Sequence, residues 1–501
     1  MPTTTVQNMY GRPFEILEGD DLKSLCEATI KQGGGALATN TAMMCRPFCA
    51  SGAGNPIISA HRSPIPGFEW DEVWFGFEDF TSEEEFLRKH GYYGSGRCYI
   101  VVRVDGRKKL VALKDFIQHV PDAILGPKLK ALGHGMFRYS KFFINKNRLP
   151  HHTHDVKEEA YWIEPTMIPD YDLFDEQCFM SIGLHQDFGP AELRKLLTVE
   201  GWNNPMNKIK RHARWFYMRP GNAMIMKTQN LHGPAAFLPH YEPQYLDDGY
   251  RMYEPMPKIP RSLLVGREIP ARLRVTDGDA EAKLDRDEVL DYLVSEEALD
   301  WKNMHDPLYG EKHSCTPILD TETSDGKDVT DHWVIYGAFG RNNNHQVLAS
   351  KRLVLQPGAE YRMKDPVGSD MICTAGVGTV GTHIAAAPRA LKPGDLGNWC
   401  FVIPAQTAKD VVIKNTGGFN IRDNTSIGSA GFFSTTAGFK YPATITIEGN
   451  AISTTASTRE PSSEEADWNS GSTEGRQKLI GGDWSSVSTR RPSSRCTTRM
   501  W

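Results

Sequence analysis

The chain has 501 residues, of which 40% are apolar, and it carries a formal net charge of −5 with a pI near 6.4. Because single hydrophobic cores stop growing at about 250 to 300 residues, this length predicts several domains. The acidic balance, together with the lack of a Lys/Arg run beside an apolar helix, disfavours nucleic acids and membrane surfaces as partners.

The sequence also disfavours export. The N-terminal MPTTTVQNMYGRPFE has neither the basic nor the apolar segment of a secretory signal, and no apolar run reaches the about 18 residues of a transmembrane helix. The nine cysteines are odd in number and scattered, which is typical of reduced thiols. We therefore expect a soluble, cytoplasmic protein.

Apolar spacing, Gly and Pro predict the secondary structure segment by segment. Residues 1–95 mix loops with candidate helices, among them TSEEEFLRKHG. RCYIVVRVDG predicts a strand that ends in a turn, and LKDFIQHVPDAILGPKLKAL predicts a helix interrupted by Pro121 and Pro127. Strands follow in KFFIN, AYWIEP and CFMSIGL, a helix in PAELRKLLTVEGW, and two strands about a Pro-Gly turn in WFYMRPGNAMIM.

The last part of the chain divides into a helix, a strand-rich region and a polar tail. DRDEVLDYLVSEEAL has the apolar spacing of a helix. From about residue 330 to 448, short strands alternate with Gly/Pro turns, which predicts a sandwich or a small barrel. About one-third of residues 451–501 are Ser or Thr, so we expect this tail to be disordered.

The segment HHTHDVKEEAYW, residues 151–162, has the spacing of a metal site. Side chains alternate along a strand, so His152 and His154 lie on one side and can bind one metal ion together. If the chain resumes as a strand, Lys157 and Glu159 also share a face, which favours Glu159 as the third ligand. Glu158 is the alternative, because both spacings from the histidine pair suit an antiparallel barrel.

A fourth ligand is available in RPGNAMIMKTQNLHGP, where a Pro-Gly turn and a strand precede His232. Three histidines and one carboxylate form a ligand set that suits Zn²⁺, with Fe²⁺ and Mn²⁺ as alternatives. The alternative interpretation is a polar loop whose histidines are solvated. The combination of the His pair, a spaced glutamate and a later histidine favours the metal site.

These motifs resemble a known family. The pattern H-x-H-x4-E followed by PG-x10-H is similar to the two halves of the cupin motif, and the surrounding chain resembles type I phosphomannose isomerases. The resemblance rests on MFRYSKFFINKNRLPHHTHD, VKEEAYWI, MSIGL, GPAELRKLL and YMRPGNAMIMKTQNLHGP, in the family's order and approximate spacing over residues 108–240. The strand-rich half after residue 325 resembles a second cupin barrel more loosely.

The resemblance implies a fold and a division of the chain. The expected fold is mainly β with helical insertions, and it comprises two cupin (jelly-roll-like) β-barrels plus an N-terminal mixed region. The expected segments are an N-terminal α/β extension (1–95), a metal-binding cupin domain (96–265), a helical connector (266–325), a second cupin-like barrel without metal ligands (326–450) and the disordered tail (451–501).

The resemblance also implies an activity, that of a metal-dependent aldose-ketose isomerase acting on a sugar or sugar phosphate. The family's K-x-E motif makes Lys157 the catalytic lysine, and an arginine expected about twenty residues beyond His232 has its nearest match in Arg251. Lys227 and Arg251 are candidates for binding a phosphate group. His152 stands where the family usually has glutamine, and the family's tyrosine is missing after His232.

Because of these departures, two other functions remain open. A ligand set of three histidines and one glutamate is typical of cupin oxygenases and decarboxylases, and the missing tyrosine would suit a catalytically silent sugar-binding protein.

In the second barrel, His345 and His383 lack H-x-H partners and no histidine lies near Lys409, so we expect no metal there. GVGTVG is followed by prolines and not by a helix, so we interpret it as a turn between strands and not as a dinucleotide-binding loop.

Overall fold

The structure is a computed structural model, and it describes twenty-two stretches of the chain. They are residues 3–7, 13–40, 42–44, 72–78, 98–131, 138–143, 149–155, 157–163, 179–198, 209–234, 238, 240–245, 251–254, 274–275, 283–284, 286–336, 349–365, 367–374, 376–387, 399–416, 419–422 and 445–448. The helix predicted in 81–91, the Pro-rich segment 255–273 and the tail 451–501 lie outside these residues.

Strands outnumber helices in the described residues, so the mainly β fold with helical insertions is confirmed. The helices are α1 (Lys23–Gln32), α2 (Leu113–His119), α3 (Pro121–Ala131), α4 (Pro190–Leu196), α5 (Arg286–Leu293), α6 (Trp301–His305) and α7 (Tyr309–His313). The first strands are β1 (Thr3–Gln7), β2 (Pro13–Leu17), β3 (Leu37–Asn40), β4 (Ala42–Met44), β5 (Glu72–Phe75), β6 (Tyr99–Val104), β7 (Arg107–Ala112), β8 (Arg138–Phe143), β9 (His152–Thr153), β10 (Glu159–Trp162), β11 (Phe179–Leu184), β12 (Ala213–Tyr217), β13 (Ala223–Met226), β14 (His232–Pro234), β15 (His240–Tyr245) and β16 (Arg251–Met252). The later strands are β17 (Arg274–Val275), β18 (Lys283–Leu284), β19 (Ser314–Cys315), β20 (Ile318–Leu319), β21 (Val329–Ile335), β22 (Ser350–Leu355), β23 (Glu360–Arg362), β24 (Ser369–Ile372), β25 (Val377–Val380), β26 (His383–Ala386), β27 (Cys400–Ile403), β28 (Val412–Asn415), β29 (Phe419–Arg422) and β30 (Ile445–Glu448).

Local sequence explains several element boundaries. Asp105 and Gly106 both have positive φ, 51° and 75°, which is the backbone that closes a two-residue hairpin between β6 and β7. Pro121 begins α3, and Gly126, with φ 69°, interrupts it. The α4 helix starts with Pro190 at its first turn, and the Glu192 carboxylate accepts a hydrogen bond from the Gly189 amide at 3.1 Å.

Two sheets carry the metal-site sequence motifs. One has the strand order β19-β13-β10-β15-β8-β5-β4, and the other has the order β12-β11-β14-β9-β16. The strands on either side of the Pro-Gly turn, β12 and β13, enter different sheets. A buried apolar cluster joins the sheets; it includes Tyr161 and Met224 from the first and Met180 and Ile182 from the second.

A third sheet crosses the predicted segments. Its order is β1-β2-β7-β6-β3-β27-β24, so β3 near the N-terminus pairs with β27 near residue 400, and β27 pairs in turn with β24. Strands β4 and β5 likewise join the sheet that contains β8 and β10. The predicted boundary between residues 95 and 96 therefore falls within sheets, and the division into domains stays a prediction.

The interpretation of GVGTVG as a turn was wrong in part. Val377–Val380 form strand β25, which pairs with β26 and β28, and the turn is confined to Gly381 and Thr382. The Thr382 amide donates to the Gly33 carbonyl at 3.2 Å, so this turn packs against the glycines after α1. None of the helices in the described stretches is long and apolar enough to span a membrane.

Candidate metal centre

The four side chains proposed as metal ligands lie together. One potential ligand atom from each of His152, His154, Glu159 and His232 lies within 4.8 Å of the others, and all four residues are buried. Three of them belong to the two sheets that carry the motifs, and His154 directly follows β9. His152 and His232 are directly paired across β9 and β14, whereas Glu159 begins β10 in the opposite sheet.

The distances within the cluster are those of polar groups converging on one point. His232 Nε2 lies 2.8 Å from Glu159 Oε1, and His154 Nε2 lies 3.4 Å from Glu159 Oε2. The ring centroids of His152 and His232 are 4.4 Å apart, and those of His152 and His154 are 4.9 Å apart. This convergence leaves one carboxylate in contact with two imidazoles.

Backbone carbonyls orient two of the imidazoles. His152 Nδ1 lies 2.8 Å from the Pro150 carbonyl, and His232 Nδ1 lies 2.8 Å from the Asn230 carbonyl. A carbonyl can only accept, so each Nδ1 donates a proton, and in the neutral ring Nε2 keeps a lone pair. That lone pair of His232 faces a carboxylate oxygen at 2.8 Å, and two acceptors this close require a cation or a proton between them.

The charge states suit metal ligands. Burial, the largest influence, lowers the pKa of His152 and His154 well below the usual 6.5. Burial by itself would raise the pKa of Glu159, but Lys157 and the neighbouring histidines outweigh it and hold that pKa well below 4.5. Neutral imidazoles and an ionised carboxylate are the forms that bind metals, so the cluster fits a Zn²⁺ site, and the same ligands accept Fe²⁺ or Mn²⁺.

Lys157 lies at the cluster, and Glu158 does not. Lys157 Nζ is 3.0 Å from Glu159 Oε2 and 2.9 Å from Gln244 Oε1. Glu158 instead forms an ion pair with Lys227 at 3.2 Å. Strand β10 begins only at Glu159, so the assumption that a strand carries Lys157 was wrong, and the lysine reaches the cluster from the segment before β10.

Tyr161 is a member of the site that the sequence reasoning missed. Its hydroxyl donates to Glu159 Oε1 at 2.8 Å, and its ring centroid lies 4.3 Å from the ring centroid of His240. Both residues are buried. The signal was present, because a residue two positions after Glu159 on a strand points to the same face.

Polar side chains also line the neighbouring face of the sheet. His240, Glu242 and Gln244 alternate along β15, and Gln244 is paired with Glu159. Lys141 Nζ, on β8, lies 3.0 Å from Glu242 Oε1, and both side chains are at most 5% exposed. The alternation in HYEPQY was the available signal. Charged and amide side chains thus lie on a buried strand face beside the metal cluster.

The structure brings neither Arg251 nor Lys227 into the cluster. Arg251 is 3% exposed, and its Nη2 lies 2.5 and 2.6 Å from the two carboxylate oxygens of Asp155. Its Nη1 donates to the Ala298 carbonyl at 2.9 Å. The catalytic role of Arg251 stays a prediction.

Comparison with known proteins finds similarity only among solved structures. No family model matches the chain, and no curated protein matches it. Mannose 6-phosphate isomerase from Bacillus subtilis aligns with 76% of this chain and 97% of its own length, at 12% identity and a TM-score of 0.45. A zinc-bound mannose 6-phosphate isomerase covers 76% and 97%, at 10% identity and a TM-score of 0.46. A phosphomannose isomerase variant from Salmonella typhimurium covers 76% and 96%, at 9% identity and a TM-score of 0.46.

These isomerases are proteins to which the chain is similar in structure. Similarity of this degree assigns no activity to the chain.

Proposed function

We propose that the protein is a metal-dependent aldose-ketose isomerase that moves a proton between C1 and C2 of a sugar or sugar phosphate. One observation carries the proposal. The buried amine of Lys157 lies 3.0 Å from the carboxylate of Glu159, which is itself one of four clustered metal-binding side chains. A proton carrier and a metal ligand set therefore meet at one point.

The proposed ligands are His152, His154, Glu159 and His232, and a bound metal ion would polarise the sugar carbonyl and stabilise the negative charge that develops on its oxygen. In its neutral form, the Lys157 amine accepts the proton from C2. The C2–H electron pair forms the C1–C2 double bond, and O1 takes up a proton. Return of a proton to C1, with loss of the O2 proton and formation of the C2–O double bond, yields the ketose and consumes no other reactant.

The polar face beside the cluster supports a polyhydroxylated substrate. Lys141, Glu242 and Gln244 offer a cation, an anion and an amide within one buried region. In the substrate complex these groups would exchange their present partners for sugar hydroxyls, and burial strengthens each hydrogen bond so formed. The identity of the sugar rests on the family resemblance, which implies a hexose phosphate such as mannose 6-phosphate.

The test is proton exchange at C2. The full chain, loaded with Zn²⁺, is incubated with mannose 6-phosphate and related aldose phosphates that carry tritium at C2, and label released to water is counted. We expect release that depends on the metal and falls by about 10²- to 10⁴-fold in Lys157→Met. Absence of exchange with every substrate, from protein that holds its metal, would contradict the proposal.

A second candidate is a cupin oxygenase or decarboxylase, favoured by the histidine at position 152. Three histidines and one glutamate suit Fe²⁺ as well as Zn²⁺. Oxygen consumption or carbon dioxide release by the Fe²⁺-loaded protein would support this function. Sugar binding without exchange, oxygen consumption or carbon dioxide release would identify a silent sugar-binding protein.

A further inference from the structure

The segment 151–155, which contains β9 and carries His152 and His154, has a second face whose side chains contact other parts of the chain. Side chains alternate along an extended segment, so His151, Thr153 and Asp155 point away from the two proposed ligands. His151 and Thr153 are fully buried. All three are contacted by residues of one short segment, 251–254.

Arg251 binds the end of this face nearest His154. Its Nη2 pairs with both carboxylate oxygens of Asp155, the residue directly after His154, and its Nη1 lies 3.3 Å from Thr153 Oγ1. Tyr292 adds a contact at 2.5 Å to the same Nη2. A planar guanidinium held by this many groups fixes the orientation of its partners.

Glu254 binds the other end. Its Oε2 accepts from the backbone amide and from Nδ1 of His151, each at 2.8 Å. His151 Nε2 in turn lies 2.7 Å from Ser181 Oγ on β11. The residue directly before His152 is thus tied both to segment 251–254 and to a neighbouring strand.

The order Glu254, His151, Ser181 is that of an acid, a base and a nucleophile, but the surroundings do not suit a reaction. Ser181 and His151 are both 0% exposed. The Ser181 hydroxyl is also 2.9 Å from the Gly233 carbonyl, the residue directly after His232. A saturated and inaccessible hydroxyl holds strands together and does not attack a substrate.

Backbone pairing also connects segment 251–254 to residues 151–153. Arg251 and Met252 are paired with Thr153 and His152, and the Tyr253 amide donates to the His151 carbonyl at 2.9 Å. Strand β9 comprises only two residues. So short a strand has few ladder hydrogen bonds of its own, and side-chain contacts carry a larger share of its positioning.

We propose that Arg251 and Glu254 form a clamp that fixes segment 151–155 from the face opposite His152 and His154, and that this clamp sets the metal affinity of the cluster. The residues that the clamp contacts are Asp155, His151 and, through His151, Ser181. These are positioning residues, because they act on the metal through His152 and His154. The proposal rests on the metal centre described above. It assigns Arg251 a role in metal binding and not in binding the substrate.

The experiment compares metal binding by the full chain and by variants that each remove one clamp contact. The variants are Asp155→Asn, Ser181→Ala, Glu254→Gln and Arg251→Lys, and the matched control is Ser140→Ala. Ser140 is an equally buried serine, bonded to Tyr241, that touches no clamp residue. The measurements are the Zn²⁺ dissociation constant by chelator competition, the visible spectrum of the Co²⁺-loaded protein and the melting temperature of the metal-free protein.

We expect the clamp variants to weaken Zn²⁺ binding about tenfold or more and to alter the Co²⁺ spectrum, because loosened ligands change the coordination. Ser140→Ala should leave both unchanged even if its melting temperature falls. Asp155 is 45% exposed, so Asp155→Asn should fold even if a buried substitution does not.

Two results would overturn the clamp. One is wild-type Zn²⁺ affinity and an unchanged Co²⁺ spectrum in folded Asp155→Asn and Glu254→Gln. The other is an Arg251→Lys variant with unchanged metal affinity and a raised KM for the sugar phosphate, since Arg251 would then contact the substrate. A wild-type protein that binds metal but exchanges no C2 proton would contradict the isomerase proposal alone and leave the clamp standing.

Discussion

Lys157 Nζ lies 3.0 Å from Glu159 Oε2, and the two side chains are 3% and 2% exposed. Breaking a buried ion pair by removing one partner usually costs about 3 to 5 kcal/mol, because the other charge is left uncompensated. Here the same carboxylate also faces His154 and His232, so a bound cation can take over the role of the lysine. The proposed metal binding and the proposed proton transfer are therefore separable by substitution.

The first prediction separates these roles. Replacing a residue that only orients a metal ligand weakens metal binding roughly 10- to 100-fold. His154→Ala and His232→Ala each remove a proposed ligand, so Zn²⁺ binding should weaken by more than this. Lys157→Met should keep its metal and lose C2 proton exchange, since its proposed role is acid-base chemistry. Metal content by atomic emission, measured beside exchange, checks the contrast. Loss of metal from Lys157→Met would make the lysine part of the binding site.

The second prediction concerns the two adjacent glutamates. Glu159→Gln removes the charge that faces His154 and His232, and it should lose most of the bound metal. Glu158→Gln changes an ion pair with Lys227 that lies outside the cluster, and it should retain wild-type metal content. Equilibrium dialysis against Zn²⁺ measures both. The reverse pattern would mean that the backbone register at the start of β10 is shifted by one residue.

The third prediction concerns Tyr161. Loss of the hydrogen bond to Glu159 Oε1 in Tyr161→Phe should weaken Zn²⁺ binding about 10- to 100-fold, because the hydroxyl orients the carboxylate. Tyr361→Phe is the matched control. It also removes a buried hydroxyl that donates to a carboxylate, Asp331 Oδ2 at 3.0 Å, but Tyr361 packs in a different apolar cluster. Equal Zn²⁺ affinities for the two variants would show that Tyr161 does not act on the ligand.

The fourth prediction is the pH dependence of the metal-free protein. Burial lowers the folded-state pKa of His152 and His154, so below about pH 6.5 the unfolded chain binds more protons than the folded one. The histidine contribution to the free energy of unfolding is therefore fully present above pH 6.5 and declines as the pH falls. Urea unfolding from pH 7.5 to 5 should show a shallower decline in His152→Gln than in the wild type. Identical slopes would contradict the prediction.

Several features of this protein could be predicted from local sequence. The histidine pair was identified because side chains alternate with a period of two on any strand, whatever the rest of the chain does. The turn at the end of RCYIVVRVDG was predicted for the same kind of reason, since turn chemistry depends on adjacent residues. The resemblance to a family also came from short motifs that survive in the linear sequence.

Other features of the site depend on pairing between strands that are distant in the sequence. The choice between Glu158 and Glu159 depended on where β10 starts, and β10 is defined by its partners β13 and β15. The contact of the Arg251 guanidinium with Asp155 likewise depends on the pairing of β16 with β9. Alternation of side chains is a property of a single strand. Which residue lies opposite on the neighbouring strand depends on contacts between segments about a hundred residues apart in the sequence, and those contacts exist only in the folded molecule.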